Sequence, residues 1–275
     1  RGLFAFDMAD GTTIDSVRSW NDGTDNPESN QGQFGVYGDN NICLHLKNLK
    51  IVFCHFDGKK FSELGRAATI VAEKYVTDLT SCAITADQKT AYFSGYSVFS
   101  VNLETMQTVA GIQDGTKWHN SPSITDDGHM YQIQGGYAGS NAAVLYYDLE
   151  PELTTGKCVF KNGIGGDDGM KFSSSPCDTE GNAYFCFWDK SEDKIGFYRS
   201  VKGAEAELIA QITAKTHNGT NGFFQGSFNF SDGYLVATTG GVSGGNFAGK
   251  VLVHCIDAER GHGRGRGRAA AVARP

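Results

Sequence analysis

No run of about 18 apolar residues occurs in this chain, so no segment is built to cross a membrane as a helix. Helical periodicity is equally scarce. No window sustains a 3.6-residue apolar repeat, and the nearest approach, residues 63–74, is short and rich in Ala and β-branched residues. Basic charge is in deficit: 24 Lys and Arg face 31 Asp and Glu, for a formal charge of −7. Phosphate binding needs a basic face, so nucleic acid is not expected as the main partner. The seven cysteines are odd in number and include no CxxC, which argues against a dense disulfide frame or a zinc site. Also missing are a Gly-x-Ser-x-Gly elbow, a metal-ligand pair, a separated carboxylate pair and a DxDxDG loop. No secretory leader stands at the start, although the first residues do not read as a natural beginning.

What the chain does have is a repeat. Six short apolar and aromatic runs end in a polar turn residue, near positions 7, 57, 102, 148, 200 and 257. Examples are Phe4-Ala5-Phe6-Asp7, Cys54-His55-Phe56-Asp57 and Leu145-Tyr146-Tyr147-Asp148. The interval of roughly 45 to 57 residues is close to the ~40–50 of a β-propeller blade. A second marker runs out of phase with the first. Strand, acidic turn and aromatic strand recur at 83–93, 121–131, 175–185 and 228–235. Asp-Gly and Glu-Gly between strand-like runs signal hairpins, because glycine supplies the positive φ of a tight turn. Each unit therefore reads as an inner hairpin followed by a second strand pair. With 36 Gly, 18 Phe and 11 Tyr, the composition agrees. The expectation is all-β: a β-propeller of four-stranded antiparallel blades, about six in number.

The propeller is expected to occupy residues 1–261, followed by a disordered Arg/Gly/Ala-rich tail over 262–275. Residues 1–7 read as a blade's third strand, and the blade holding Asp257 reads as three strands. Thr12 to Trp20 is a candidate outer strand for that last blade. Since both ends contain a third strand, an incomplete or partly open ring fits the count best.

Gly2-Leu3-Phe4-Ala5-Phe6-Asp7-Met8-Ala9-Asp10-Gly11 and residues 251–261 resemble the quinoprotein-type propeller repeat. Ser121-Pro122-Ser123-Ile124 and Ser174-Ser175-Pro176-Cys177 are similar to the Ser-Pro opening of such a repeat. The resemblance implies a fold and two contrasting functions. Some members are dehydrogenases holding pyrroloquinoline quinone and calcium over the axis; others are non-catalytic scaffolds, such as the lipoprotein of the bacterial outer-membrane assembly machine. The enzymes stack the quinone between a tryptophan and, in many, a disulfide of adjacent cysteines. Here no two cysteines are adjacent, and Trp20, Trp118 and Trp188 share no repeat position. No cofactor is expected.

Cys43, Cys54, Cys186 and Cys255 lie inside strand-like runs and read as small apolar packing groups. Cys177 and Cys186 flank one hairpin, which admits a single disulfide. Asn218-Gly219-Thr220 and Asn229-Phe230-Ser231 are glycosylation triplets, the second in a strand. The compartment stays open, with an extracellular or periplasmic setting favoured over a cytoplasmic one.

Propellers bind ligands where loops enter the innermost strands, because those loops converge at the axis. The corresponding segments here, 26–33, 117–120, 165–171 and 217–225, are polar and Gly-rich. The candidate ligand-binding set is Trp118, His119, Asn120, Asp168, Lys171, Asn221, Phe223 and Gln225. Aromatic faces beside His, Asn, Gln and Lys suit a sugar-like ligand. No metal site is expected. The reading is a non-catalytic binding or scaffold propeller that presents this axial face to a protein or a carbohydrate. The alternative is a polysaccharide lyase-like enzyme, with His119 and His217 as acid and base and Lys171 neutralising a carboxylate.

Overall fold

The structure, a computed structural model, describes residues 3–17, 34–46, 50–66, 81–95, 98–111, 117–136, 143–149, 153, 156–161, 177–189, 194–213, 228–231, 234–240 and 251–257. Among these residues there are strands and turns but no helix. The chain forms two compact units, residues 1–122 with 149–154 and residues 123–148 with 155–275.

In the first unit, β1 (Leu3–Phe6) and β2 (Thr13–Val17) form a two-stranded antiparallel sheet. A four-stranded sheet follows, in the order β3 (Phe34–Tyr37), β4 (Asn41–Leu46), β5 (Lys50–Phe56) and β6 (Phe61–Arg66). The next holds β7 (Ser81–Ile84), β8 (Thr90–Ser94), β9 (Val98–Asn102) and β10 (Thr108–Ala110), again in sequence order. A further sheet holds β11 (Lys117–Ile124), β12 (His129–Gly136), β13 (Ala143–Asp148) and β14 (Lys157–Lys161). Two three-stranded sheets complete the second unit. One holds β15 (Asn182–Asp189), β16 (Lys194–Val201) and β17 (Glu207–Thr213); the other β18 (Phe228–Ser231), β19 (Tyr234–Gly240) and β20 (Val251–Asp257). A lone bridge, Cys177 to Ala183, precedes β15 on its open edge.

Every sheet is an up-and-down meander, and the turns explain why. At the last hairpin of a sheet the repeated Asp or Asn caps its own turn. Asp7 Oδ1 accepts the Ala9 amide at 2.8 Å, and Asp57 Oδ1 those of Lys59 and Lys60 at 2.8 and 2.7 Å. Asn102 Oδ1 does the same for Glu104 and Thr105, at 2.9 and 2.8 Å. A short side-chain acceptor two or three residues upstream mimics a backbone turn, which is why Asp and Asn recur there. The first hairpins use a hydroxyl and a carboxylate together. Thr85 Oγ1 donates to Asp87 Oδ1 at 2.6 Å and accepts the Thr90 amide at 3.0 Å. The Thr125, Asp127 and His129 turn repeats this network. A register shift recurs in the last strand pair of four sheets, between Ala5 and Phe6, Phe53 and Cys54, Val144 and Leu145, and Phe197 and Tyr198. Such a bulge increases local twist, which lets one sheet wrap the next.

Alternate strand residues then bury both faces of the sheets. In the first unit, Ile42, Leu44, Val52, Cys54 and Phe61 pack with Leu3, while Cys43, Ile51 and Phe53 pack with Ala91, Phe93, Phe99 and Val101. The β3–β6 sheet is thus covered on both sides. In the second unit, Tyr131, Ile133, Val144 and Val159 pack with Ala183 and Phe185. Burying a side chain of this size contributes about 1.5–3 kcal/mol.

Glu63 to Arg66, the start of the window nearest to a helical repeat, is strand and pairs with β5, as an all-β chain requires. Two local expectations change. Thr13–Val17 pairs with β1, Leu3 opposite Val17, so this strand completes its own hairpin. Cys177 is a free thiol whose register partner is Ala183, so it does not stand opposite Cys186.

Candidate functional site

Lys117, Trp118, His119 and Asn120, read from sequence as a loop, form the first half of β11. Polar residues and an aromatic in alternation satisfy a strand as well as a loop, and the hairpin to β12 decides between them. Asp168, Lys171, His217, Asn221, Phe223 and Gln225 lie outside the described residues, as does the 262–275 tail.

The side chains that the structure does bring together lie in the second unit, at the hairpin turns. The β11–β12 turn supplies Asp126 and Asp127, the turn before β15 supplies Thr179, Glu180 and Gly181, and the β16–β17 turn supplies Lys202. They line an open cleft of about 430 Å³. Three carboxylates and a single amine give its wall a net negative charge.

Beneath the cleft the turns are locked together. The Tyr131 hydroxyl, fully buried, accepts the Gly203 amide at 2.6 Å and faces the carbonyls of Gly181 and Ser200 at 3.4 and 3.5 Å. Lys157 Nζ donates to the Gly203 carbonyl at 2.7 Å. Gly203 has φ +72, and a Cβ there would meet the Tyr146 ring at 2.6 Å. Only glycine permits both that backbone conformation and that approach. The β16–β17 turn is therefore seated on the sheet before it through its backbone. Burial pushes the Tyr131 hydroxyl above its ordinary range and Tyr146 up to about 12, so both stay protonated as donors.

Beside the cleft, His129 stands between two carboxylates. Its Nδ1 is 3.1 Å from Asp127 Oδ1 and its Nε2 is 3.2 Å from Asp148 Oδ1. Its ring stacks on Tyr146 at 4.9 Å and 16°. The Thr125 hydroxyl, and then His129, hold the Asp127 carboxyl below the usual carboxylate range. At Asp178, burial pushes the other way, but hydrogen bonds from Asn182, Tyr184 and Glu180 outweigh it and the net direction is down. Sequence reasoning passed over His129 and Tyr131. The signal was present in Asp127-Gly128-His129-Met130-Tyr131, where a histidine and a tyrosine follow a hairpin turn on the same face of a strand.

No family model and no curated protein matches the sequence. Solved structures do. The calcium-binding protein regucalcin from Agrobacterium tumefaciens superposes with a TM-score of 0.50 at 11% identity, over 84% of this chain and 74% of that one. The Dos1 propeller superposes with a TM-score of 0.57 at 10% identity, over 92% of this chain and 62% of that one. The fold is a β-propeller. Its four-stranded antiparallel sheets are the blades, and identity this low carries the fold alone. No helix among the described residues is long and apolar enough to cross a membrane.

Proposed function

We propose that this chain is a non-catalytic binding or scaffold propeller, of the quinoprotein-like repeat type, that presents polar and aromatic side chains to a protein or carbohydrate ligand. One observation carries the reading. On the turn face, Asp127 is engaged by Thr125 and His129 and is more acidic than an ordinary aspartate. A general base works best with a pKa near the operating pH. Asp127 is moved away from that range, which suits a fixed hydrogen-bonding surface better than proton transfer. Tyr131, Gly203 and Lys157 hold that surface rigid, so a ligand meets groups already in place, and pre-organisation lowers the ordering cost of association.

Regucalcin is described as calcium-binding. In this chain, no group of three or more His, Cys, Asp or Glu among the described residues is disposed to hold a metal ion.

The experiment is a paired one on the purified chain. A panel of neutral and acidic oligosaccharides and an array of peptides are screened for binding, and the same acidic glycans are incubated for new unsaturated ends. Saturable binding without turnover is expected. Unsaturated product that disappears in His119→Ala would replace this proposal with the lyase.

A further inference from the structure

Cys43 and Cys82 stand on different blades yet meet. Cys43 is in β4, fully buried in the core that the β3–β6 sheet shares with its neighbour, and its register partner is Gly35 of β3. Its sulfur lies 3.6 Å from the Gly35 carbonyl. Cys82, in β7 of the next blade, packs against the same core and is only partly buried. A Cβ at Gly35 would come within 2.9 Å of the Cys82 sulfur and 2.6 Å of Ile84 Cδ1. The missing side chain is what lets β7 approach, and it leaves the Cys82 sulfur over Gly35, beside that of Cys43. Gly35 thus has one sulfur against its carbonyl and the other over its Cα.

We propose that Cys43 and Cys82 are a redox pair that closes to a disulfide, covalently joining adjacent blades of the propeller. The oxidant is a hydroperoxide, small enough to reach a buried sulfur during local opening of the sheet pair. The Cys43 thiolate attacks the peroxide oxygen, giving a sulfenic acid and, for hydrogen peroxide, one water after proton transfer. The Cys82 sulfur then displaces the sulfenic oxygen, which leaves as a second water. Two thiols lose two electrons and two protons in all, and hydrogen peroxide accepts them. Closing the bond sets the two sulfurs about 2.0 Å apart.

The order of events follows from the pair. The Cys82 thiol donates to Cys43, which draws the Cys43 thiol below its ordinary value, while the same bond, with burial, pushes Cys82 up. Cys43 is therefore the sulfur that ionises first and attacks. Cys54, the nearest other thiol on the β3–β6 sheet, is pushed up to about 11 by burial and faces the opposite core. It stays a thiol and takes no part.

Tryptic cleavage separates all three. Cys43 falls in peptide 19–47, Cys54 in 51–59 and Cys82 in 75–89. The full chain is reduced, freed of reductant, treated with dilute hydrogen peroxide, alkylated and digested for mass spectrometry. The expected product is peptide 19–47 linked to 75–89, lighter by two hydrogens than the two thiol peptides together, with Cys54 still alkylated. Reductant should restore alkylation at both sites. In Cys82→Ser the resolving sulfur is gone but a hydroxyl donor stays beside Cys43, so peroxide should leave Cys43 as a sulfenic acid that dimedone traps. Full alkylation of Cys43 and Cys82 after peroxide, or a link between any other pair, overturns the proposal. So does a Cys82→Ser variant with native fluorescence and no dimedone adduct at Cys43.

Discussion

Replacing Tyr131 by phenylalanine removes one oxygen from the most enclosed part of the second unit and leaves the ring in place. The hydroxyl is fully buried and accepts the Gly203 amide at 2.6 Å. The ring still fills its place among Ile133, Val144 and Phe185, so no large cavity opens. What changes is that the Gly203 amide loses its acceptor in a site closed to water. Leaving a buried donor unsatisfied costs about 1–3 kcal/mol. The long contacts to Gly181 and Ser200 add little, since hydrogen bonds at 3.4 and 3.5 Å are at the weak end of the range. At about 2–4 °C per kcal/mol for a chain of this size, the melting temperature should fall by about 2–12 °C. Urea unfolding followed by tyrosine and tryptophan fluorescence measures the loss. Hydrogen exchange gives a local readout, because the Gly203 amide should lose protection before the neighbouring strands do. Tyr234→Phe is the control: that ring is 49% exposed, and its change should stay within about 0.5 kcal/mol. If Tyr131→Phe is as stable as the control and Gly203 keeps its protection, the hydroxyl does not seat the turn.

Two further perturbations test the same turn chemistry. Gly203→Ala combines a left-handed backbone, about 1–2 kcal/mol for a residue with a Cβ, with crowding against the Tyr146 ring, about 1–3 kcal/mol. A loss of about 2–5 kcal/mol in urea is expected, and a loss below about 1 kcal/mol would show that the turn relaxes freely. Acid stability follows the capped carboxylates. Asp10, Asp57, Asp87 and Asp127 are all held below 3.8 by hydrogen bonds within their own turns. A folded-state pKa below the unfolded one gives stability that is present above pH 3.8 and lost as pH falls through the folded values. The urea midpoint should therefore be flat near neutrality and drop below about pH 4, and the drop should be shallower in Asp127→Asn. An equal drop in that variant would remove Asp127 from the account.

The blade pattern was legible because each turn must solve a local problem with local residues. Asp7, Asp57 and Asn102 cap amides two or three positions downstream, so the need is written within a few residues of itself. The aromatic strands beside them alternate because both faces of an inner strand are covered. The contacts that join blades are of another kind. Tyr131 meets Gly203, 72 residues away, and Phe61 donates its amide to Asp15 Oδ2, 46 residues away. Nothing in a window of ten residues says that a tyrosine hydroxyl will replace water at a distant glycine. Cys43 and Cys82 were hidden in the same way, since each alone reads as a small apolar residue in a strand. The loops chosen from sequence were selected for polarity, and polarity is shared by a binding loop and by the opening of an edge strand such as β11.

The repeat also says where functional individuality should be sought. A residue that recurs in every blade is retained by the demands of the turn, and its polar atoms are already spent there. Three first hairpins can be matched through their closing backbone bonds, Thr85 to Thr90, Thr125 to His129 and Asp178 to Asn182. The opening residue is always an oxygen donor or acceptor for its own turn. The closing residue is not constrained in that way, and it is threonine, histidine and asparagine in turn. Asn182 points its amide back to Asp178 Oδ2 at 2.9 Å, completing its own hairpin. His129 instead spans from Asp127 to Asp148 and stacks on Tyr146, using a side chain larger than the turn requires. A neutral imidazole carries one N–H and can donate to only one of those carboxylates at a time. The group on this face whose hydrogen bonding is not dictated by its own turn is therefore His129, and a ligand's polar atoms would compete first for its partners.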